Sequence, residues 1–107
     1  MKTTIAVRSL AALAQESRLL VFRLLVQKGP EGMHPSDISA RLKLSPATLS
    51  FHLKALAHAG LIRAQAEGRH IRYSADFKSM NTLLDYLTEN CCQGRSCEVL
   101  PATRAVA

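Results

Sequence analysis

Three thiols stand within seven positions near the carboxyl terminus, in Cys91-Cys92-Gln93-Gly94-Arg95-Ser96-Cys97, and the rest of the chain has none. A cysteine in a core is usually a small buried apolar residue, but three this close can converge on one soft ion as thiolates. An odd number cannot pair completely within one chain, and the amino terminus lacks a long apolar run followed by a small-residue cleavage site. The pattern predicts a reduced, cytoplasmic protein without a structural disulfide framework. Sulfur chemistry selects a class of soft ions and not one member of it.

The second set of residues able to do chemistry is basic. The 107-residue chain carries a formal charge of +6, which points to a polyanionic partner. Residues 38 to 75 hold six basic groups and one acidic group, a net +5, whereas residues 1 to 37 hold five and three, and residues 76 to 107 three and four. The excess therefore sits in the middle third, together with His52, His58 and His70. Arg and Lys interrupt every candidate for the roughly 20 apolar residues that would span a bilayer, so no membrane partner is expected. A chain this short buries a modest core, and association of copies is a common solution.

Helical and alternating periods place these groups. Ile5, Val7, Leu10 and Leu13 give a first helix over residues 3 to 13, with more apolar surface than one small core requires. A second starts near Ser17, carries Leu19, Leu20, Phe22, Leu24, Leu25 and Val26, and ends at Gly29-Pro30. Pro35 or Ser36 opens a short third helix through Ile38, Ala40 and Leu42, closed by a turn at Lys43-Leu44. Ser45-Pro46 then supplies an N-cap acceptor and a proline at the first helical position, and Leu49, Leu53 and Leu56 recur at i, i+4 and i+7 up to Gly60. The period next changes to alternation over 61 to 66 and 69 to 74, flanking Glu67-Gly68, which predicts a β-hairpin with Ile71 and Tyr73 on one side and His70 and Arg72 on the other. Asp76 caps a fifth helix bearing Phe77, Met80, Leu83, Leu84 and Leu87, with the cysteines at its carboxyl end.

Two short helices, a tight turn and a two-stranded ribbon make a winged helix-turn-helix, whose second helix enters the major groove of double-stranded DNA. The expected class is mainly α, about five helices plus a two-stranded wing, with residues 1 to 92 as one domain and 93 to 107 as a flexible cysteine-bearing tail. If Leu49, Leu53 and Leu56 face inward, a turn of about 100° per residue sends Ala47, Phe51, Lys54 and His58 outward, flanked by Thr48 and Ser50. Ser45 and the free amides beside it suit a phosphate. Outward Phe51 could meet thymine methyls or a subunit or wing contact. His52, near the edge of the buried stripe, is a structural or phosphate-contacting candidate, and Arg69, His70 and Arg72 on the wing can track phosphates or enter a minor groove.

The run Leu44-Ser45-Pro46-Ala47-Thr48-Leu49-Ser50-Phe51-His52-Leu53-Lys54-Ala55-Leu56, followed by Ala59-Gly60-Leu61-Ile62, resembles the ArsR/SmtB family of metal-responsive repressors. The stretch from Ala14 to Leu19 is similar to the opening of that family's second helix, and the likeness covers roughly residues 5 to 92. The resemblance implies a homodimer paired through its first and last helices, which binds operator DNA as the apo form and releases it when an ion binds. The family's cysteine-x-cysteine site at the third helix falls on His34 and Ser36 here, so it is absent. Its zinc site on the last helix is in doubt, because Asp76 has no histidine partner in residues 77 to 107.

Cys91, Cys92 and Cys97 remain, similar to the carboxyl-terminal triplet of one arsenic-responsive branch, which implies As(III) or Sb(III) as inducer. Sensing of Cd, Pb or Hg, a thiol redox response, and a constitutive DNA-binding protein with incidental thiols are the rival readings. Adjacent cysteines lie about 100° apart around a helix, so binding should stop or distort its last turn, with Gly94 as the pivot that folds Cys97 back. Enzymes are disfavoured: the sequence has no phosphate-cradling glycine loop, nucleophile turn or Cys-x-x-Cys element.

Overall fold

The computed structural model describes residues 1–94. In chain order the elements are α1 (Thr3–Leu13), α2 (Glu16–Lys28), α3 (Pro35–Leu42), α4 (Pro46–His58), β1 (Ile62–Glu67), β2 (His70–Ala75) and α5 (Phe77–Leu87), followed by a short 3-10 turn at Cys91–Gly94. No described helix is long and apolar enough to cross a membrane.

Local chemistry accounts for the boundaries. The Gln15 side chain accepts from the Arg18 amide at 2.8 Å, which starts α2 a residue earlier than the spacing suggests. Ser45 Oγ accepts from the Thr48 amide at 3.2 Å with Pro46 in the first turn, and Asp76 Oδ1 accepts from the Ser79 amide at 3.0 Å. Both are ordinary N-caps, and each satisfies an amide that a helix leaves open. Between α3 and α4 Lys43 takes a left-handed conformation, φ 55°, and the Lys43 and Leu44 amides both return to the Ser39 carbonyl. That turn sets the angle between the two helices.

The core joins α2 (Val21, Phe22, Leu24, Leu25), α3 (Ile38) and α4 (Leu49, Leu53, Leu56) with Met33, Leu61, Ile62 and Ala75. The antiparallel register runs from Ile62 opposite Ala75 to Glu67 opposite His70. The hairpin loop is therefore Gly68-Arg69, one residue later than Glu67-Gly68, because Gly68 with φ 61° supplies the positive φ needed at the first loop position. Arg69 thus stands at the wing tip instead of in a strand. From Arg63 to Ile71 every wing residue is exposed, so the tip has no core of its own.

α1 packs against α2, α4 and α5, burying Ala6 and Ser9, while α5 buries Leu83. The Thr3 and Tyr86 hydroxyls hydrogen-bond across the two terminal helices. Ile5, Val7 and Leu10 on α1 and Leu84 and Leu87 on α5 remain exposed, as do Leu19 and Leu20 on α2. A helix apolar on more than one side requires more cover than a single chain gives it.

Candidate nucleic-acid interface and thiol cluster

The exposed side of α4 and the basic wing are the two parts of the candidate DNA interface. Ser45, Ala47, Thr48, Ser50, Phe51 and Lys54 are all exposed, Phe51 to 65%, as the helical projection predicts. The Ser45 hydroxyl already bonds the amide of Thr48 and its Oγ1, at 2.9 Å, so it acts first as a cap. The small side chains around it leave the backbone open to a groove.

His52 takes the structural one of its two expected roles and departs from the phosphate-contacting one. It is 6% exposed, belongs to the inward face of α4 and meets the ring of Phe51 edge-on, centroids 5.6 Å apart. Its place is structural, on the buried side of the helix. Among the described residues its Nδ1 is buried without a hydrogen-bond partner. Burial, and secondarily the charge of Arg18, hold its pKa below the ordinary 6.5, so the ring is neutral at neutral pH. A histidine depressed in the folded state contributes stability above its unfolded pKa and loses it as pH falls through the folded value. We expect His52→Gln to reduce the loss of stability between pH 7.5 and 5.5, read by urea unfolding; an unchanged acid dependence would exclude His52 as its source.

Arg72 departs too. Its Nε donates to Glu67 Oε2 at 3.1 Å, and its Nη1 to the backbone oxygens of Glu31 at 3.1 Å and Gly32 at 3.4 Å. This guanidinium ties the wing to the turn between α2 and α3 through Nε and Nη1. Glu67 Oε1 meets His34 Nε2 at 3.0 Å. The hydrogen bond from His34, then that from Arg72, lowers the Glu67 pKa. Glu67 is the one acid of residues 38 to 75, and its pairing leaves the exposed Arg69 and His70 to dominate the tip. A cleft of about 490 Å³ opens between wing and α3, lined by His34, Ser36, Arg69, His70 and Tyr73 among others. Sequence reasoning missed Glu67 and His34 as a pair; 33 positions separate them, and no local period signals the contact.

The thiols lie past the last helix. α5 ends at Leu87, and Asn90, Cys92 and Gln93 take left-handed backbone conformations at φ 56–57°. The continuous helix that would splay Cys91 and Cys92 by about 100° is thus absent, and their sulfurs are 3.6 Å apart. Cys92 is disulfide-bonded, in contrast to the fully reduced state expected from the sequence. Cys97 and most of the expected tail lie outside the described residues. Among the described residues no three His, Cys, Asp or Glu side chains are grouped to hold a metal.

This fold and its basic wing define a winged helix-turn-helix DNA-binding protein. A helix-turn-helix domain family model matches residues 13–65. The chain is 31% identical over 88 residues to an uncharacterized HTH-type transcriptional regulator, YbzH of Bacillus subtilis, covering 71% of this chain and 88% of that one. It is 30% identical to the transcriptional activator HlyU of Vibrio cholerae, covering 82% and 79%. An ArsR-like transcriptional regulator from a Rhodococcus superposes with a TM-score of 0.73 at 27% identity, covering 97% and 93%. A homodimeric winged helix-turn-helix domain from Mycobacterium bovis shares the fold, with a TM-score of 0.64 at 23% identity over 89% and 88%. The chain belongs to the ArsR family of DNA-binding transcriptional regulators, and it is not an enzyme.

Proposed function

We propose that this protein is a thiol-responsive repressor, which binds operator DNA as a homodimer and releases it when Cys91, Cys92 and Cys97 capture As(III) or Sb(III). The approach of the Cys91 and Cys92 sulfurs carries the reading. An ion holding two thiolates at about 2.3 Å with a near-tetrahedral angle sets their sulfurs about 3.8 Å apart. The 3.6 Å seen with Cys92 in its disulfide is close to that spacing. Cys97 is the third donor by its position in sequence, and three thiolates suit a trivalent metalloid better than an ion wanting four ligands. Capture displaces thiol protons and requires Cys92 in its reduced form.

Dimerisation through α1 and α5 follows from their uncovered apolar faces and places the thiols within one turn of the subunit contact. Reshaping that turn shifts the two reading helices relative to each other, and half-sites one DNA turn apart register a modest rotation as lost affinity.

The disulfide at Cys92 supports a second reading, in which oxidation itself is the signal. Left-handed backbone costs a non-glycine residue about 1–2 kcal/mol, and both Cys92 and Gln93 incur it. One experiment separates the two: the reduced dimer on a duplex carrying the region upstream of its own gene, titrated with arsenite, antimonite, cadmium or peroxide. Metalloid sensing predicts release by arsenite under reducing conditions and its loss in each of Cys91→Ser, Cys92→Ser and Cys97→Ser, with unliganded DNA affinity within about twofold of wild type. Release by peroxide alone supports the redox reading. No release by any of the four removes thiol sensing altogether.

A further inference from the structure

The hairpin from Arg63 to Ile71 is exposed throughout, yet its tip carries Arg69 and His70, the cations expected to meet DNA. A lone two-stranded hairpin is marginal in water, so something outside the hydrophobic core must hold this one in register with α4. Two devices reach it. At its base Met33 and Tyr73 exchange backbone hydrogen bonds at 2.8 and 2.9 Å, making a one-residue third strand. Further out stands the polar network of His34, Glu67 and Arg72.

We infer that Glu67 is a positioning residue for DNA binding, a latch that holds the wing against the α2–α3 turn through His34 and Arg72 so that Arg69 and His70 meet the phosphate backbone. Each carboxylate oxygen has its own partner, His34 on Oε1 and Arg72 on Oε2. Arg72 passes the restraint on through the carbonyls of Glu31 and Gly32. Single exposed ion pairs contribute little, but these groups share one carboxylate, and the tip they restrain has no competing core contact. The latch rests on the wing touching the operator, and the test separates the two ideas.

The inference runs against plain electrostatics. Deleting an acid beside a phosphate backbone should strengthen binding. A latch predicts the reverse. With the upstream duplex and fluorescence anisotropy, Glu67→Ala should weaken binding about five- to tenfold, and His34→Ala similarly, while the double variant is no weaker than the worse single one. Glu67→Gln, whose single carbonyl oxygen keeps one of the two acceptor contacts without the charge, should recover part of the loss. In an Arg69→Ala/His70→Ala background the Glu67→Ala penalty should disappear, since the groups it positions are gone. Hydrogen exchange at the Tyr73 amide should quicken in Glu67→Ala, with the dimer and its far-UV spectrum unchanged. Equal or tighter DNA binding by Glu67→Ala, or unaltered Tyr73 exchange, overturns the latch. If Arg69→Ala/His70→Ala itself leaves affinity intact, the wing–DNA contact is what fails, and Tyr73 exchange alone decides the latch.

Discussion

Val7→Asp or Leu84→Asp should turn this protein into a folded monomer and weaken its binding to the upstream duplex by about a hundredfold or more. Both side chains lie on the uncovered faces of the terminal helices, Val7 58% and Leu84 39% exposed in the single chain. An acid there faces water while the chain is alone, so the subunit itself survives. In a two-fold symmetric dimer each substitution occurs twice, so two carboxylates enter one interface. Burial of each apolar side chain is worth about 1.5–3 kcal/mol, and an unpaired buried charge adds a penalty of several more. A change of that size raises the dimer dissociation constant by three orders of magnitude or more. The DNA effect follows from linkage: once one reading head is seated, the second binds at an effective concentration set by the dimer, and the monomer loses that term. Sedimentation equilibrium and anisotropy on the same samples check it. A variant that stays dimeric and binds normally would place the interface elsewhere.

The legible part of this molecule is what short-range chemistry dictates. Ser45-Pro46 and Asp76 announce helix starts by the acceptor each offers, and the leucines of α4 fix its inward direction well enough to send Phe51 and Lys54 outward. A stripe has edges, however, and His52 sits on one. Whether its ring enters the core depends on how closely α1 and α2 approach, with Arg18 as neighbour, and no window on α4 contains that distance. The same reason hid the fate of Arg72. As part of an alternating strand it points away from Ile71 and Tyr73, consistent with a DNA contact, but carbonyls 40 and 41 positions away capture it. The cysteines failed differently. Helical period says nothing about where a helix stops when no proline or glycine marks the place, and Thr88-Glu89-Asn90 is such a stretch. The sulfurs meet where the backbone turns left-handed at Asn90, Cys92 and Gln93.

Gly32→Ala is expected to be among the most damaging small substitutions in the chain, although it adds one methyl at a turn. Gly32 has φ +71°, and a Cβ built there would lie 2.3 Å from the Tyr73 carbonyl oxygen, 3.0 Å from its carbon and 3.1 Å from Ser74 Cβ. The first is far inside any contact two heavy atoms tolerate, and the obstacle is strand backbone, which cannot rotate aside as a side chain would. Two costs add. Left-handed backbone disfavours alanine by about 1–2 kcal/mol. Relief of the clash requires the turn and β2 to part, breaking the paired Met33–Tyr73 hydrogen bonds, each worth about 1 kcal/mol net. The sum, about 3 kcal/mol or more, is a large share of the roughly 5–15 kcal/mol that holds a domain folded. It should lower the melting temperature by about 12 °C or more. Gly68→Ala is the control: its φ is +61°, but nothing lies within 4 Å of the added carbon, so it carries the backbone cost alone. Thermal unfolding should therefore rank wild type above Gly68→Ala and that above Gly32→Ala by a clear margin. Gly32→Ala should also lose DNA affinity at temperatures where it is still folded, because the parted seam is the base on which the wing stands. Equal melting of the two variants would show that the close approach of Gly32 to β2 contributes nothing, and that the wing is seated by its polar latch alone.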